Sequence, residues 1–388
     1  MTKYEISFIN HASLSIDDGK DQILTDPWFI SPAFGGWYQY PSPNYEDIEK
    51  IINLKKNLFT VISHGHDDHL DDFFIKNYLK NTQILIPEFK SKGLLKRVSN
   101  LSLKTPIEIN QNFNSPTKLN GSLLYSYSNK EMKNDSIILI SNDDELIIHA
   151  NDNYREQPKE IIDEIKKISK NKKIYYFSQV GIASSFPTKF ANLNINKKKE
   201  VIRSEHKRFI ADFEKNIKNL KVDLAFVYAN QYKFDNEDDL SYYDDVQEIL
   251  NDHPFIKQLS PGDKIIEGKL FKNKNLKLNL FDKLLKNIED LTNQYINNKI
   301  QTNFSLEFKV TYDQDEKIIN EEKNKIFFIT NKITWQKIIN GELNLEAILI
   351  GGNGNIIKIH EQNMREVSIC VSEFSYIYQN KISKTLFL

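Results

Sequence analysis

Three of the chain's eight histidines fall within six residues, in the stretch Val61-Ile62-Ser63-His64-Gly65-His66-Asp67-Asp68-His69-Leu70-Asp71. With Asp68, the histidines His64, His66 and His69 form an H-x-H-x-D-H cluster directly after the apolar run 58–62. Imidazole nitrogens and a carboxylate at this spacing are metal ligands. In an extended chain alternate side chains share a face, so His64 and His66 point the same way, while Asp68 and His69 lie one step along the turn and can serve a second ion. A solvated polar loop would account for the aspartates but not for so much histidine. Two ions need more ligands than these four. The downstream candidate is Asp152, in His149-Ala150-Asn151-Asp152-Asn153, where a carboxylate after the apolar stretch 146–150 can bridge two ions. An aspartate after a strand is also an ordinary turn former, and it is the upstream cluster that favours the ligand reading. His149 is expected in the core or behind the ligands.

The elements that must position these groups alternate in type. Residues 4–9, 13–16 and 22–25 read as short strands of a meander at a sheet edge, joined by turn residues such as Asp17-Asp18-Gly19-Lys20. The loop from 26 to 45 carries four prolines beside Trp28, Phe34, Trp37, Tyr38 and Tyr40, a composition that suits either a pocket wall or a cap on the core. Helical spacing at 45–54 and 73–79 flanks the strand 58–62, and 84–86 resumes the sheet. Residues 137–140 and 146–150 predict a hairpin, followed by a helix over 156–168, a strand at 174–177, a long amphipathic helix over 198–220 and a buried strand at 222–229. The layout is α/β, with a catalytic domain over 1–265 and an appended C-terminal α+β segment over 266–388 packed on it.

The 388 residues, 40% hydrophobic and 12% aromatic, can bury a sizeable core. Lysine plus arginine (52) nearly balances aspartate plus glutamate (53), so charge gives no reason to expect nucleic acid or an anionic membrane as partner. No apolar stretch approaches the roughly 20 residues of a membrane span, and the first residues lack the features of a signal peptide. A cytoplasmic protein acting on a small molecule is expected. Cys370 is the sole cysteine, which leaves metal binding to nitrogen and oxygen ligands and excludes an iron–sulfur cluster held by this sequence.

Asn10-His11-Ala12-Ser13, Thr25-Asp26-Pro27-Trp28, the H-x-H-x-D-H cluster and the strand-end Asp152 together resemble the metallo-β-lactamase superfamily, in its branch containing L-ascorbate-6-phosphate lactonase and N-acylphosphatidylethanolamine phospholipase D. Ser31-Pro32-Ala33-Phe34-Gly35-Gly36-Trp37 and Gly181-Ile182-Ala183-Ser184-Ser185-Phe186-Pro187 more narrowly resemble the catalytic portion of CMP-N-acetylneuraminate hydroxylase, and the likeness extends through Ile333-Thr334-Trp335 toward the end of the chain. The resemblance implies an αββα sandwich holding two metal ions. It departs from the hydroxylases in two ways. Their Rieske domain has no counterpart, so an oxygenase here would draw electrons from a separate donor protein or from its substrate. Their third histidine for the first ion is missing, and the equivalent position falls at Glu131, either a ligand or an exposed loop charge. A carboxylate there makes the site harder, favouring iron or manganese over zinc. Asp235, Glu237 and His253 are alternatives for the last ligand of the second ion. The resemblance also brings His11 toward the substrate pocket, although it can equally link strands. Trp37 and Tyr38 are candidates to stack on a base or sugar. Ser184 and Ser185 are candidates to bind a phosphate or carboxylate, or merely tighten a corner.

Three chemistries fit. Two ions bridged by Asp152 can generate hydroxide and hydrolyse a lactone, ester or phosphodiester. With iron at both positions, which the ligand hardness favours, they can use dioxygen to hydroxylate a small polar metabolite such as a sugar nucleotide or amino acid derivative. A non-catalytic protein stabilised by metal is the third class.

Overall fold

Strand β1 (Glu5–Asn10) sends Ile6 and Phe8 into one apolar cluster and Ile9 into another, and this period of two runs through the sheet it helps to form. A computed structural model describes residues 3–54, 56–128, 135–190, 193–229, 232–234, 250, 253, 256–273 and 350–351, with the strands at 303–308, 326–331 and 355–358. Within them β2 (Ser13–Asp17), β3 (Asp21–Thr25), β4 (Trp37–Gln39), β5 (Asn57–Val61), β6 (Gln83–Pro87) and β7 (Ile107–Ile109) follow in order. The first sheet has eight strands in the order β17-β16-β1-β2-β3-β5-β6-β7, where β16 is Lys264–Ile266 and β17 is Lys269–Phe271. The meander expected at an edge is therefore internal, because β16 pairs with β1 and covers it. The β16–β17 hairpin carries this sheet across the boundary expected at 265/266.

The second sheet runs β15-β13-β12-β11-β10-β9-β8. Its strands are β8 (Thr117–Lys118), β9 (Leu123–Tyr127), β10 (Ile137–Ser141), β11 (Glu145–Asn151), β12 (Lys173–Gln179), β13 (Leu224–Tyr228) and β15 (Ile256–Gln258). All seven residues of β11 are buried, as a strand covered on both faces must be. The expected hairpin is the antiparallel β10–β11 pair. Tyr232–Phe234 forms β14, which pairs with β4 in a small ribbon of its own. Asn303–Phe308, Ile326–Asn331 and Asn355–Lys358 make a further antiparallel sheet within the C-terminal segment.

Three apolar clusters fix the layer order. Ile6, Phe8, Leu14 and Val61 from the first sheet meet Ile138, Ile147, Phe177 and Phe226 from the second. Outside the first sheet, Ile9, Leu24, Ile62 and Ile84 pack on α1 (Tyr45–Ile52), on α2 (Asp72–Phe74, continued as a wider turn to Leu79) and on α3 (Gly93–Leu101). Outside the second, Leu146, Ile148 and Tyr176 pack on α4 (Lys159–Ile168) and α5 (Ile195–Leu220). The result is the helix–sheet–sheet–helix sandwich. The helix expected to begin at 156 begins after Pro158, which lacks the amide a helix interior needs. The helix expected at 198 starts three residues earlier because the Asn194 side chain accepts from the Lys197 amide and caps it.

Strands β3, β5, β6 and β7 are mutually parallel, as are β11, β12, β13 and β15. Their carboxyl ends form the rim where α/β sheets place ligands.

Candidate metal centre

Four strand ends supply the centre. β5 runs out into the His64–His69 loop, β11 into Asp152, β3 into Asp26 and β1 into His11. Three of these exits take a left-handed turn at a residue other than glycine, with φ of 47° at His11, 37° at Asp26 and 41° at Asn151. Such backbone costs about 1 kcal/mol or more per residue. Here it turns polar side chains inward at the point where each strand leaves its sheet.

Two groups of three residues that could hold a metal ion result, His64 with His66 and Asp152, and His11 with Asp68 and His69, the candidate ligand atoms of each lying within 4.8 Å of one another. His64 Nε2 and His66 Nδ1 face each other at 2.9 Å. His11 Nε2 is 3.2 Å from Asp68 Oδ2, and His69 Nε2 is 3.6 Å from the same oxygen. Asp152 stands between the groups, with Oδ2 3.7 Å from His64 Nε2 and Oδ1 3.2 Å from His69 Nε2. Asp135, just ahead of β10, places Oδ1 3.8 Å from His64 Nε2.

The residues fit resident metal. Asp68 Oδ1 is buried without a hydrogen-bond partner, and the buried His69 Nε2 and Asp152 Oδ1 face each other at 3.2 Å. Orphaned polar atoms in the interior are costly unless something satisfies them. Nitrogen and carboxylate oxygen at one point are the donor set of a transition-metal ion.

Behind the ligands, Asp26 acts as an anchor. Its carboxylate accepts from the Ser63 amide (2.7 Å) and hydroxyl (2.6 Å), from His69 Nδ1 (2.9 Å) and from His149 Nε2 (2.9 Å). Burial opposes its charge, but His69 and His149 outweigh burial and hold the carboxyl well below the usual range. An ionised carboxylate only accepts, so Nδ1 of His69 carries the proton and Nε2 is left for a metal. The far side of His149 bonds the Tyr228 hydroxyl. Asp71 fixes the loop after Asp26 by accepting from the amides of Ile30 (2.7 Å) and Ser31 (2.9 Å), and it caps α2 through the Phe74 amide.

Burial, with His69 and His66 beside it, pushes His64 well below its ordinary value, which keeps the imidazole in its ligating form. Burial also opposes charge on His69, yet Asp152, Asp68 and Asp26 overcome it and push that group well up, so a metal at Nε2 would have to displace a proton there. Burial and the nearby Asp152 and Asp68 push the Asp135 carboxyl up to about 6, against the attraction of His66 and His69.

The structure brings together His64, His66, Asp68, His69 and Asp152. Glu131, Asp235 and Glu237 lie outside the described residues. His253 is far from this rim: it precedes β15 at the opposite end of the sheet, and its Nδ1 meets Glu214 of α5 at 2.6 Å. His11 stands beside Asp68 and His69 in the second group that could hold an ion. Trp37 is no open platform. It is fully buried, stacked on Tyr232 at 3.8 Å with its indole donating to the Ile350 carbonyl at 2.7 Å. Ser184 and Ser185 tighten a corner: the Ser184 hydroxyl accepts from the Phe186 amide at 3.0 Å, and the fully buried Ser185 accepts from the Lys189 amide through its carbonyl. The Tyr232 hydroxyl ties this turn to the aromatic ribbon through the Ile182 carbonyl. Sequence reasoning missed Asp135 and the anchoring role of Asp26. The expected hairpin held a signal for the first, since the residue before β10 must lie beside the residue after β11.

No family model matches the chain. A stretch of 67 residues, 17% of this chain, is 36% identical to cytidine monophosphate-N-acetylneuraminic acid hydroxylase of Cricetulus griseus, and it spans 11% of that relative's length. Similar solved structures include CmlA, a diiron beta-hydroxylase from Streptomyces venezuelae (12% identity, TM-score 0.45, 70% of this chain and 55% of that one). Another is the isothiocyanate hydrolase from Delia radicum gut bacteria (15% identity, TM-score 0.43, 68% and 98%). No helix among the described residues is long and apolar enough to cross a membrane. By its two facing sheets, its outer helices and an H-x-H-x-D-H loop at the carboxyl end of a parallel strand, the chain has the metallo-β-lactamase fold.

Proposed function

We propose that the protein is a dinuclear metal enzyme, with iron at both positions, that uses dioxygen to hydroxylate a small polar metabolite such as a sugar nucleotide or an amino acid derivative. The carrying observation is the carboxylate content of the paired site. Asp152 stands between the two groups, Asp68 serves the second, and Asp135 lies beside His64 where a third imidazole would make a softer set. Hard oxygen donors favour iron or manganese over zinc. The 67-residue likeness to a hydroxylase supports the same reading.

His64 and His66 with Asp152 would hold one ion, and His11, Asp68 and His69 the other. Such a pair, when bound, supplies a site where dioxygen can be reduced or a bound water ionised. The chain's own part is to hold Asp152 toward both groups, to keep His69 in one tautomer through Asp26, and to exclude water: His11, His64, Asp68, His69 and Asp152 are all buried. Phe34 adds an apolar wall, its ring 5.9 Å from that of His66. The electrons would come from outside these 388 residues, from a donor protein or from the substrate itself, because one cysteine cannot hold a cluster within them. That same requirement favours the second reading, hydrolysis of a lactone, ester or phosphodiester, which needs no electrons.

The test is to purify the protein without oxygen from iron-supplemented cells and to follow oxygen uptake and the visible spectrum on admitting air. Close to two irons per chain with a new absorption band supports the oxygenase. Zinc or manganese with no response to oxygen overturns it and directs the search to hydrolysable substrates.

A further inference from the structure

The ligands of the H-x-H-x-D-H loop are separated by residues that no ion would touch, and one arginine from another element holds those residues. Arg97 lies on α3, whose Leu94 and Val98 are buried against the first sheet. Its Nη1 donates to the Gly65 carbonyl at 2.6 Å, and its Nη2 to Asp67 Oδ1 at 2.9 Å and to the Leu70 carbonyl at 3.3 Å. Nε donates to Asp72 Oδ1 at 2.9 Å. These contacts alternate with the ligands, because Gly65 separates His64 from His66, Asp67 separates His66 from Asp68, and Leu70 follows His69. The second oxygen of Asp67 accepts from the Phe34 amide at 3.2 Å, which joins the aromatic loop to the same knot.

We infer that Arg97 is a positioning residue of the metal centre, whose planar guanidinium sets the curvature of the 64–70 loop so that both ligand groups form together. This rests on reading the two groups as metal sites and is independent of the choice between oxygenase and hydrolase. Only a rigid fork of donors can satisfy two backbone carbonyls and two carboxylates at once, so lysine at this position keeps the charge and loses the function. Contacts of this kind behind a metal site typically contribute about 10- to 100-fold in affinity.

The experiment uses cobalt(II) alone as the probe on the metal-stripped full chain, with visible absorption reporting ligand geometry and a competing chelator reporting affinity. R97A and R97K should bind about 10- to 100-fold more weakly than the wild type, and guanidinium ion added to R97A should recover part of the loss and restore the wild-type band. Thermal midpoints of the metal-free proteins accompany the titration, because a merely structural role would lower the midpoint without making affinity depend on added guanidinium. Wild-type affinity in R97A, or a loss that guanidinium does not restore, overturns the inference. Should R97A fail to fold, D67N removes the charged partner while keeping an acceptor for the Phe34 amide, and unchanged affinity there overturns it equally. A wild-type chain that binds no cobalt would instead overturn the metal reading beneath it.

Discussion

Asparagine in place of Asp135 should stabilise the metal-free protein and weaken its hold on metal. The Asp135 carboxyl is pushed from 3.8 up to about 6, chiefly by burial, with Asp152 and Asp68 adding to the effect. At about 1.4 kcal/mol per pK unit, ionising it in the folded chain costs at most about 3 kcal/mol relative to the unfolded chain. The sign follows from proton binding. Between roughly pH 4 and 6 the folded state holds the proton more tightly, so stability falls as pH rises through that window and the full penalty stands above it. Asp135→Asn removes the penalty. At pH 7.5, with a chelator present, the variant should be more stable by about 1–3 kcal/mol, since relaxation of the site trims the ceiling. That corresponds to roughly 1–4 °C in Tm for a chain of this size. At pH 5 the gain should shrink to about half, because the folded wild-type carboxyl is by then mostly protonated. With metal the order should reverse, because a cation held by His64 favours an ionised carboxylate beside it over a neutral amide, and the stabilisation that comes from binding falls with affinity. Thermal unfolding at both pH values, with chelator and with metal, reads all of this. A metal-free variant less stable than wild type at pH 7.5, or a shift identical at the two pH values, would refute the reasoning.

Trp37→Ala should behave as a core deletion and lower stability by about 3–5 kcal/mol in a denaturant titration, since the indole is buried against Tyr232 and bonded to Ile350. A loss below about 1 kcal/mol would return Trp37 to the pocket wall. Asp26→Asn should weaken metal binding about 10- to 100-fold, because an amide cannot accept from Ser63, His69 and His149 together. Asp26 has a depressed carboxyl, so its contribution is present above about pH 4 and is lost as pH falls below that. The variant's stability should therefore fall less steeply in acid than the wild type's, and an unchanged acid limb in a pH titration of stability would contradict the assignment.

The loop His64–His69 was legible because its candidate ligands lie within six residues and follow an apolar strand, so local spacing alone describes them. The layer order was legible for a similar reason: strands such as β11 and helices such as α4 carry their burial pattern in their own residues. The role of Asp26 was not, since it acquires its meaning only when the ends of β3, β5 and β11 meet across two sheets, whereas Asp135 was passed over although the β10–β11 hairpin sets it beside Asp152. His11 was noticed, but its place beside Asp68 was not, because the left-handed turn that brings it there is a property of the folded meander. Trp37 misled for a packing reason. Aromatic composition cannot distinguish a ring left open for a ligand from one already filled, and its partner Tyr232 comes from a distant part of the chain.

The most direct measurement is anomalous X-ray scattering from crystals of the iron-loaded protein grown without oxygen, collected on both sides of the iron absorption edge. Two iron peaks are predicted, one among His64, His66 and Asp152 and one among His11, Asp68 and His69, with the Asp152 carboxylate between them. A single peak, a peak away from these residues, or none in protein shown to be iron-loaded would contradict the dinuclear centre.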